Sequence, residues 1–400
     1  MDFAFSPQLL DLKERTRKFI NEIVIPAEAR MPQDVTDWVE LRGELQQAAK
    51  DAGLFAPHIS KEYGGLGLNW RDCAVIFEEA GRSLLGPQAL NCAAPDEGNM
   101  HMLAKIANPA QKEKYLRPLA QGERRSCFSM TEPNGAGADP NLLKTHAEYR
   151  DGKWIINGRK WFISGAIGAS FTICMARTSP SPAGRGAGGE GRSGATMFLV
   201  DADNPGFRIV RKVPTLDLGW PGGHAEVEFV NCEVNDDAVL GAVGEGFEYA
   251  QVRLGPARLT HCMRWMGAAR RAMEYAVKYA SARESFGKTL SEHQGVQFMV
   301  ADSEIEMHAA RLMIWHAAYL LDQGDKARHE TSMAKVFVAE TVNRVIDRAV
   351  QICGAHGISE DWPLAMLYRE HRAFRIYDGP SEVHRMSVGR RVFRRMKAEG

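Results

Sequence analysis

CFSMTEPNGAGADP (127–140) is where the texture of the chain changes, and the fold follows from what lies on either side of it. Downstream, HAEYRDGKWIINGRKWFISGA, SFTICMAR, ATMFLVD, FRIVRKV and AEVEFVNCEV are short alternating or aromatic-rich runs. Asp-Gly, Asn-Gly and Asn-Pro pairs bound them, and such pairs supply the backbone angles that turns require, so 127–239 reads as a compact β domain. Within it DGKWIINGRKWFISG is hairpin material, with Trp154, Trp161 and Phe162 available for one face. The Gly/Ser/Pro/Arg-rich stretch TSPSPAGRGAGGEGRSG (178–194) reads as a flexible surface insertion between two strands.

Outward from that middle, the apolar spacing is helical. Residues 1–126 hold FSPQLLDLKERTRKFINEIVIPAEA, WVELRGELQQAAKDAGL, WRDCAVIFEEAGRSL and PAQKEKYLRPLAQGE, with glycine stops and a Ser-Pro start. From 240 to 400 there are three long amphipathic segments (245–283, 291–324 and 329–354), and PLAMLYREHRAFRIY (363–377) is expected as a fourth. Four in succession point to a helix bundle. The order is helices, β, helices.

Composition narrows the function classes. The 400 residues carry 50 Lys+Arg against 50 Asp+Glu, so no global field favours nucleic acid or an anionic membrane. The basic run GRRVFRRMK reads as a solvated helix end. Seven cysteines are scattered without CxxC or Cys/His ligand spacing, which points to reduced thiols in a cytosol-like compartment and to no metal site. The N-terminus carries Asp2, Asp11 and Glu14 within an amphipathic pattern, unlike a signal or transit peptide, and no apolar run reaches membrane-spanning length. A cytoplasmic protein is expected.

Several segments can carry chemistry. YDGPSEVHR (377–385) holds Asp378 in an Asp-Gly-Pro turn entered from a helix, and burial among apolar groups would raise its pKa into the range of a usable base. The Gly-rich loop after residue 127 lets backbone amides approach a ring edge or a phosphate, and Thr131 adds a hydroxyl; no Walker lysine or βαβ unit accompanies it. WFISGA (161–166) offers an aromatic beside a hydroxyl for a planar cofactor. ARESFGKTLSEHQ (282–294) sets Arg283 for phosphate and Phe286 for stacking, although a plain helix–loop–helix corner has the same composition. Arg258 gains meaning only if it faces Asp378. Arg369, Arg372 and Arg375 read as a solvated helix face that could also recognise a phosphate.

Met-Thr-Glu-Pro with its Gly-rich tail, Trp-Phe-Ile-Ser-Gly, Arg-x-x-Phe-Gly, Gln-Ile-Cys-Gly and Tyr-Asp-Gly, in that order, resemble the acyl-CoA dehydrogenase family over essentially the whole chain. APDEGNM (94–100), RLGPARLTHCMR (253–264) and DGPSEVH (378–384) resemble the branch that in animals is fused behind a kinase-like domain. The resemblance implies an N-terminal helical domain (1–126), a β-barrel-like middle domain (127–239) and a C-terminal four-helix bundle (240–400). It implies FAD, an α-proton base at Asp378, hydride transfer to the flavin, a trans-2-enoyl-CoA product and electron-transfer flavoprotein as acceptor. A second family subset keeps its base where this chain has Ala257, so that site is empty here.

By the same resemblance Arg258, Gly379 and Ala138 fall on substrate positions, with Ala138 replacing a serine and leaving that contact in doubt. Phe128, Met130, Thr131 and Gly137 fall on one side of the flavin, and Phe162 and Ser164 on the other. Arg283, Phe286, Gln294, Gln351 and Gly354 fall on positions that hold FAD between subunits, with Pro380 and with Glu382 in place of a glutamine. A shared cofactor implies a homodimer or homotetramer. The branch implies a long-chain or 4-hydroxy or 4-phospho acyl-CoA. Nitroalkane oxidases resemble the same family and use an aspartate base, and a non-catalytic scaffold of this fold is a further reading.

Overall fold

A computed structural model describes residues 4–31, 35–178, 194–219 and 222–399. The stretch read as an insertion lies, at 179–193, outside the described residues. The chain has an N-terminal helical region, a middle β region and a C-terminal helical region. Helix α1 (Pro7–Phe19) begins on Ser6, whose side chain accepts the Leu9 amide, with Pro7 where no N–H is needed. Helices α2 (Val35–Asp51), α3 (Trp70–Ala80) and α4 (Asp96–Ile106) follow.

Strands β1 (Ser126–Ser129), β2 (His146–Arg150), β3 (Lys153–Ser164), β4 (Phe171–Thr178), β5 (Gly194–Asp201), β6 (Phe207–Val213), β7 (His224–Asn235) and β8 (Val239–Leu240) form one sheet. Its order is β6-β7-β3-β2-β4-β5-β8, with β1 pairing β4 in parallel. Alternation along β4 and β5 separates two cores. Phe171, Ile173, Met175, Met197 and Leu199 face the helices, whereas Cys174, Ala176, Phe198 and Val200 join Trp154 and Val227 in a core within the sheet.

Asp151 and Gly152, both at positive φ, make the tight turn of the β2–β3 hairpin. Asn157-Gly158 is not the turn its sequence predicts. The strand runs through it, with a register shift against β7 between Ile156 and Gly158. Glycine is needed there because φ is 154° and a Cβ would lie 2.4 Å from Thr145 Oγ1. A second irregularity between Lys160 and Ile163 puts Phe162 at φ 51° and turns its ring out of the sheet. Trp154 and Phe162 therefore do not share a face: the first is buried, the second 44% exposed.

Helices α5 (Gly246–Ala282), α6 (Gln294–Asp322), α7 (Arg328–Cys353), α8 (Pro363–Arg372) and α9 (Ser381–Glu399) complete the chain. The fourth long helix is α9, not the segment 363–377, which ends as the ten residues of α8 and a short turn. Positive φ at Asp378 and Gly379, followed by Pro380, stops one helix and starts the next. Helix α7 packs on α5, α6 and α9. Helix α3 crosses α5 where Gly81 and Gly267 let the backbones meet; a Cβ on either would lie within 2.0 Å of a carbonyl oxygen on the other helix. That crossing brings α4 beside α5. Among the described residues no helix is long and apolar enough to cross a membrane.

Candidate active site

One face of α5 carries Arg253, Ala257, Thr260, His261 and Arg264, and all except His261 are buried. Asp378 lies over this face in a left-handed conformation, φ 53°, which aspartate tolerates better than most residues. Two groups fix its backbone. Arg258 Nε donates to the Asp378 carbonyl at 2.9 Å, and His384 Nε2 lies 3.2 Å from the same oxygen. Gly379 must be glycine: its φ is 100° and a Cβ would lie 2.7 Å from His384 Nε2. Arg258 thus faces Asp378, but it holds the main chain and not the carboxylate.

The carboxylate is held by His261, whose Nε2 is 3.2 Å from Oδ2. The expected upward pKa shift is overturned. Burial pushes the Asp378 carboxyl up, but the His261 hydrogen bond and the charges of Arg253 and Arg258 outweigh it and hold the group well below the usual carboxylate range. The surroundings are cationic where an apolar environment was expected. His261 itself is pushed down to about 4 by burial and by Arg264. Behind it, Arg264 Nη2 is 3.2 Å from His261 Nδ1 and Nη1 is 3.6 Å from Glu97 Oε2, which also accepts from Thr260 at 2.9 Å. Burial raises the pKa of Glu97, whose Oε1 has no hydrogen-bond partner among the described residues.

The Gly-rich loop is shaped by a buried ion pair. Glu132 accepts from Lys160 Nζ at 3.0 Å and from the amides of Lys144 and Thr145, while Lys160 also donates to the Met130 carbonyl. Thr131 is not the free donor it was expected to be, since its hydroxyl donates to the Trp161 carbonyl at 2.5 Å. Among the described residues no acceptor faces the amides of Met130 and Thr131. The Phe128 ring lies under the Arg253 guanidinium at 4.3 Å.

On the neighbouring strand Ser164 Oγ is 2.8 Å from His224 Nδ1, and His224 Nε2 is 2.8 Å from Asp217 Oδ2. Asp217 can only accept, so His224 Nε2 carries a proton, and the Ser164 hydroxyl meets the Nδ1 edge of the same ring. Unpaired amides, an outward Phe162 ring and a serine oxygen fit the edge and face of a flat heteroaromatic such as the flavin the resemblance implies. Thr131 and Phe162 are thus joined through Trp161, whose ring packs 4.6 Å from that of Phe162, and Ser164 reaches Phe162 through the His224 ring at 6.5 Å.

The other predicted residues are not drawn into this cluster. Gly137 and Ala138 are exposed, and no atom lies within 4 Å of a Cβ on Gly137. Arg283 and Phe286 sit on the small hairpin of Glu284–Ser285 with Lys288–Thr289, and Phe286 is 95% exposed at φ 53°. Gln294 is exposed at the start of α6, as are Gln351 and Gly354 at the end of α7. Pro380 is half-buried, and Glu382 faces Arg385 at 3.7 Å. Arg369 and Arg375 are engaged by Glu360 and Glu340.

The residues that sequence reasoning missed are Arg253, His261, Arg264, Glu97 and His384. Arg258, His261 and Arg264 are spaced by threes on one helix, and that spacing was the available signal.

Residues 6–123, 127–232 and 244–393 match the N-terminal, middle and C-terminal domains of acyl-CoA dehydrogenase. The chain is 41% identical over 416 residues to the Mycobacterium tuberculosis (strain ATCC 25618 / H37Rv) protein named "Probable acyl-CoA dehydrogenase FadE2", covering 100% of this chain and 98% of that one. It is 36% identical over 403 residues to acyl-CoA dehydrogenase family member 10 of Mus musculus, covering 97% of this chain but only 37% of that longer protein. Its fold superposes on butyryl-CoA dehydrogenase from Megasphaera elsdenii with a TM-score of 0.85 at 27% identity, covering 98% and 100% of the two chains.

Proposed function

The chain belongs to the acyl-CoA dehydrogenase family, and from that premise we propose that it is an FAD-dependent enzyme converting an acyl-CoA thioester to its trans-2-enoyl form with Asp378 as base. The observation that carries this reading is the turn at Asp378: strained, anchored by Arg258 and His384, and aimed onto a buried face of α5. Met130, Thr131, Phe162 and Ser164 would hold the flavin ring. Bound FAD would supply the acceptor for the β-hydride.

Asp378 takes the α-proton. The enolate-like charge that develops on the thioester oxygen requires donors, and the Asp378 amide has no acceptor among the described residues. Exclusion of water by a bound acyl chain adds desolvation and lifts the carboxyl toward the range in which it can act. Asp378→Asn is expected to keep bound FAD and to slow flavin bleaching by acyl-CoA at least about a hundredfold. Full retention of bleaching would sink the assignment.

The exposed Arg283, Phe286, Gln294, Gln351 and Gly354 support a cofactor site completed by a second copy, hence a dimer or tetramer. Electron-transfer flavoprotein is the proposed acceptor, and a long-chain or 4-oxygenated acyl group the proposed substrate. Seven unpaired, buried thiols are in keeping with a reducing, cytosolic compartment. One observation favours a second reading. A carboxylate held this acidic suits a more acidic carbon acid, such as a nitroalkane, oxidised with oxygen as acceptor. Peroxide release from nitroethane, without bleaching by any acyl-CoA, would select it.

A further inference from the structure

Between α4 and the Asp378 turn runs an unbroken chain of polar groups: Glu97, Arg264, His261, Asp378. Its directions are fixed by what each group can do. A guanidinium only donates, so His261 Nδ1, 3.2 Å from Arg264 Nη2, must accept. The single proton of the neutral ring then resides on Nε2, facing Asp378 Oδ2. Arg264 cannot swing away, because its Nη1 also donates to the Cys92 carbonyl at 2.8 Å and its charge is balanced by buried Glu97. The imidazole is clamped from its sides as well, with the Tyr377 ring at 4.8 Å and the Phe374 ring at 6.0 Å.

We propose that His261, locked by Arg264 into the Nε2–H form, is the positioning residue of Asp378: it occupies Oδ2 and leaves Oδ1 as the oxygen that takes the proton. Among the described residues no donor reaches Oδ1. His261 is a one-way donor. It cannot relieve Asp378 of the proton it collects, because Nε2 already bears hydrogen and Nδ1 is held by a cation. The collected proton therefore leaves from Oδ1 and not through His261, after the product goes. The inference rests on the assignment of Asp378 as base.

The groups acting on Asp378 and His261 are Arg253, Arg258 and Arg264 from α5, Glu97 from α4, Lys335 from α7, His384 from α9 and Tyr377 beside the turn. Three of these cations remain close to Asp378 when His261 is replaced, so the carboxyl is expected to rise without losing its charge at neutral pH.

The test uses the FAD-loaded protein. Nitrogen-15 NMR of histidine-labelled protein, with His261 assigned by its absence in His261→Gln, is expected to show a neutral Nε2–H ring from about pH 6 to about pH 9. An Nδ1–H ring or an imidazolium in that window overturns the proposal. In parallel, single-turnover bleaching by octanoyl-CoA and palmitoyl-CoA is followed against pH. His261→Leu should move the acid limb up by about one pH unit or more with FAD content unchanged. His261→Gln, whose amide can accept from Arg264 and donate to Asp378, should restore the limb to within about 0.3 unit. Coincident profiles for His261→Leu and the parent, while Asp378→Asn abolishes bleaching, overturn the positioning role and leave the base intact. Bleaching that survives Asp378→Asn brings down the base assignment and this inference with it.

Discussion

The charged face of α5 and the corner that follows it are built on opposite terms. Along the helix Arg253, Arg264 and His261 are closed in, and each finds its partner within the same chain. At the corner Arg283 has no ion pair among the described residues and Phe286 offers nearly its whole ring to solvent. An interior charge must be answered by its own chain, because desolvation is too costly otherwise. A group at an unanswered corner costs the monomer little, and its value lies in what comes to meet it. The first region stabilises the fold; the second is the one we propose to meet a cofactor or a second copy.

Breaking the first region should give the largest effect. Arg264→Met strands buried Glu97 and frees His261, and is expected to cost about 3–5 kcal/mol of unfolding free energy. Denaturant titration measures it, and a loss below about 1 kcal/mol would show that the buried groups do not depend on one another.

Next in size is a pH effect at the margin between helix and sheet. Glu370 accepts from the Leu218 amide, and burial pushes its carboxyl up to about 7. Its folded pKa exceeds the unfolded one, so its contribution is complete below about pH 4 and is lost as pH rises through about 7. Glu370→Gln keeps an acceptor and removes the ionisation. It should be more stable than the parent at about pH 8, by on the order of 2 kcal/mol, and nearly equal near pH 4. Equal stability at both pH values would contradict the burial of that charge.

The smallest effect on folding belongs to the corner. Phe286→Ala should leave unfolding free energy within about 0.5 kcal/mol of the parent yet lower FAD retention on gel filtration about tenfold. A large stability loss with FAD intact would reverse the contrast between the regions.

The division into helices, sheet and helices could be read from apolar period and turn pairs, and the β2–β3 hairpin from its Asp151-Gly152 pair. Asn157-Gly158 looked like a second turn because its composition is that of one; only the approach of Thr145 reveals that the glycine makes room within a strand. Asp378 was legible as a stiff carboxylate in a turn. Its electrostatics were not, since they depend on Arg253 and His261, more than a hundred positions earlier, lying on the side of α5 that faces the turn. A helix bearing Arg258, His261 and Arg264 looks solvated until α4 and the turn are laid over it. The Thr131 hydroxyl was identified as a donor, correctly by type, but its partner is the Trp161 carbonyl within the same sheet.

The seven cysteines were described above as unpaired and buried, and burial pushes Cys92, Cys127, Cys174, Cys232 and Cys262 up to about 12. A protected, protonated thiol is a poor nucleophile. The folded chain is therefore silent toward alkylating reagents, and the rate at which it becomes labelled is a clock for opening. A cysteine introduced at position 286 would be the first thiol to react, so a dye placed there would report directly on whatever docks against that corner.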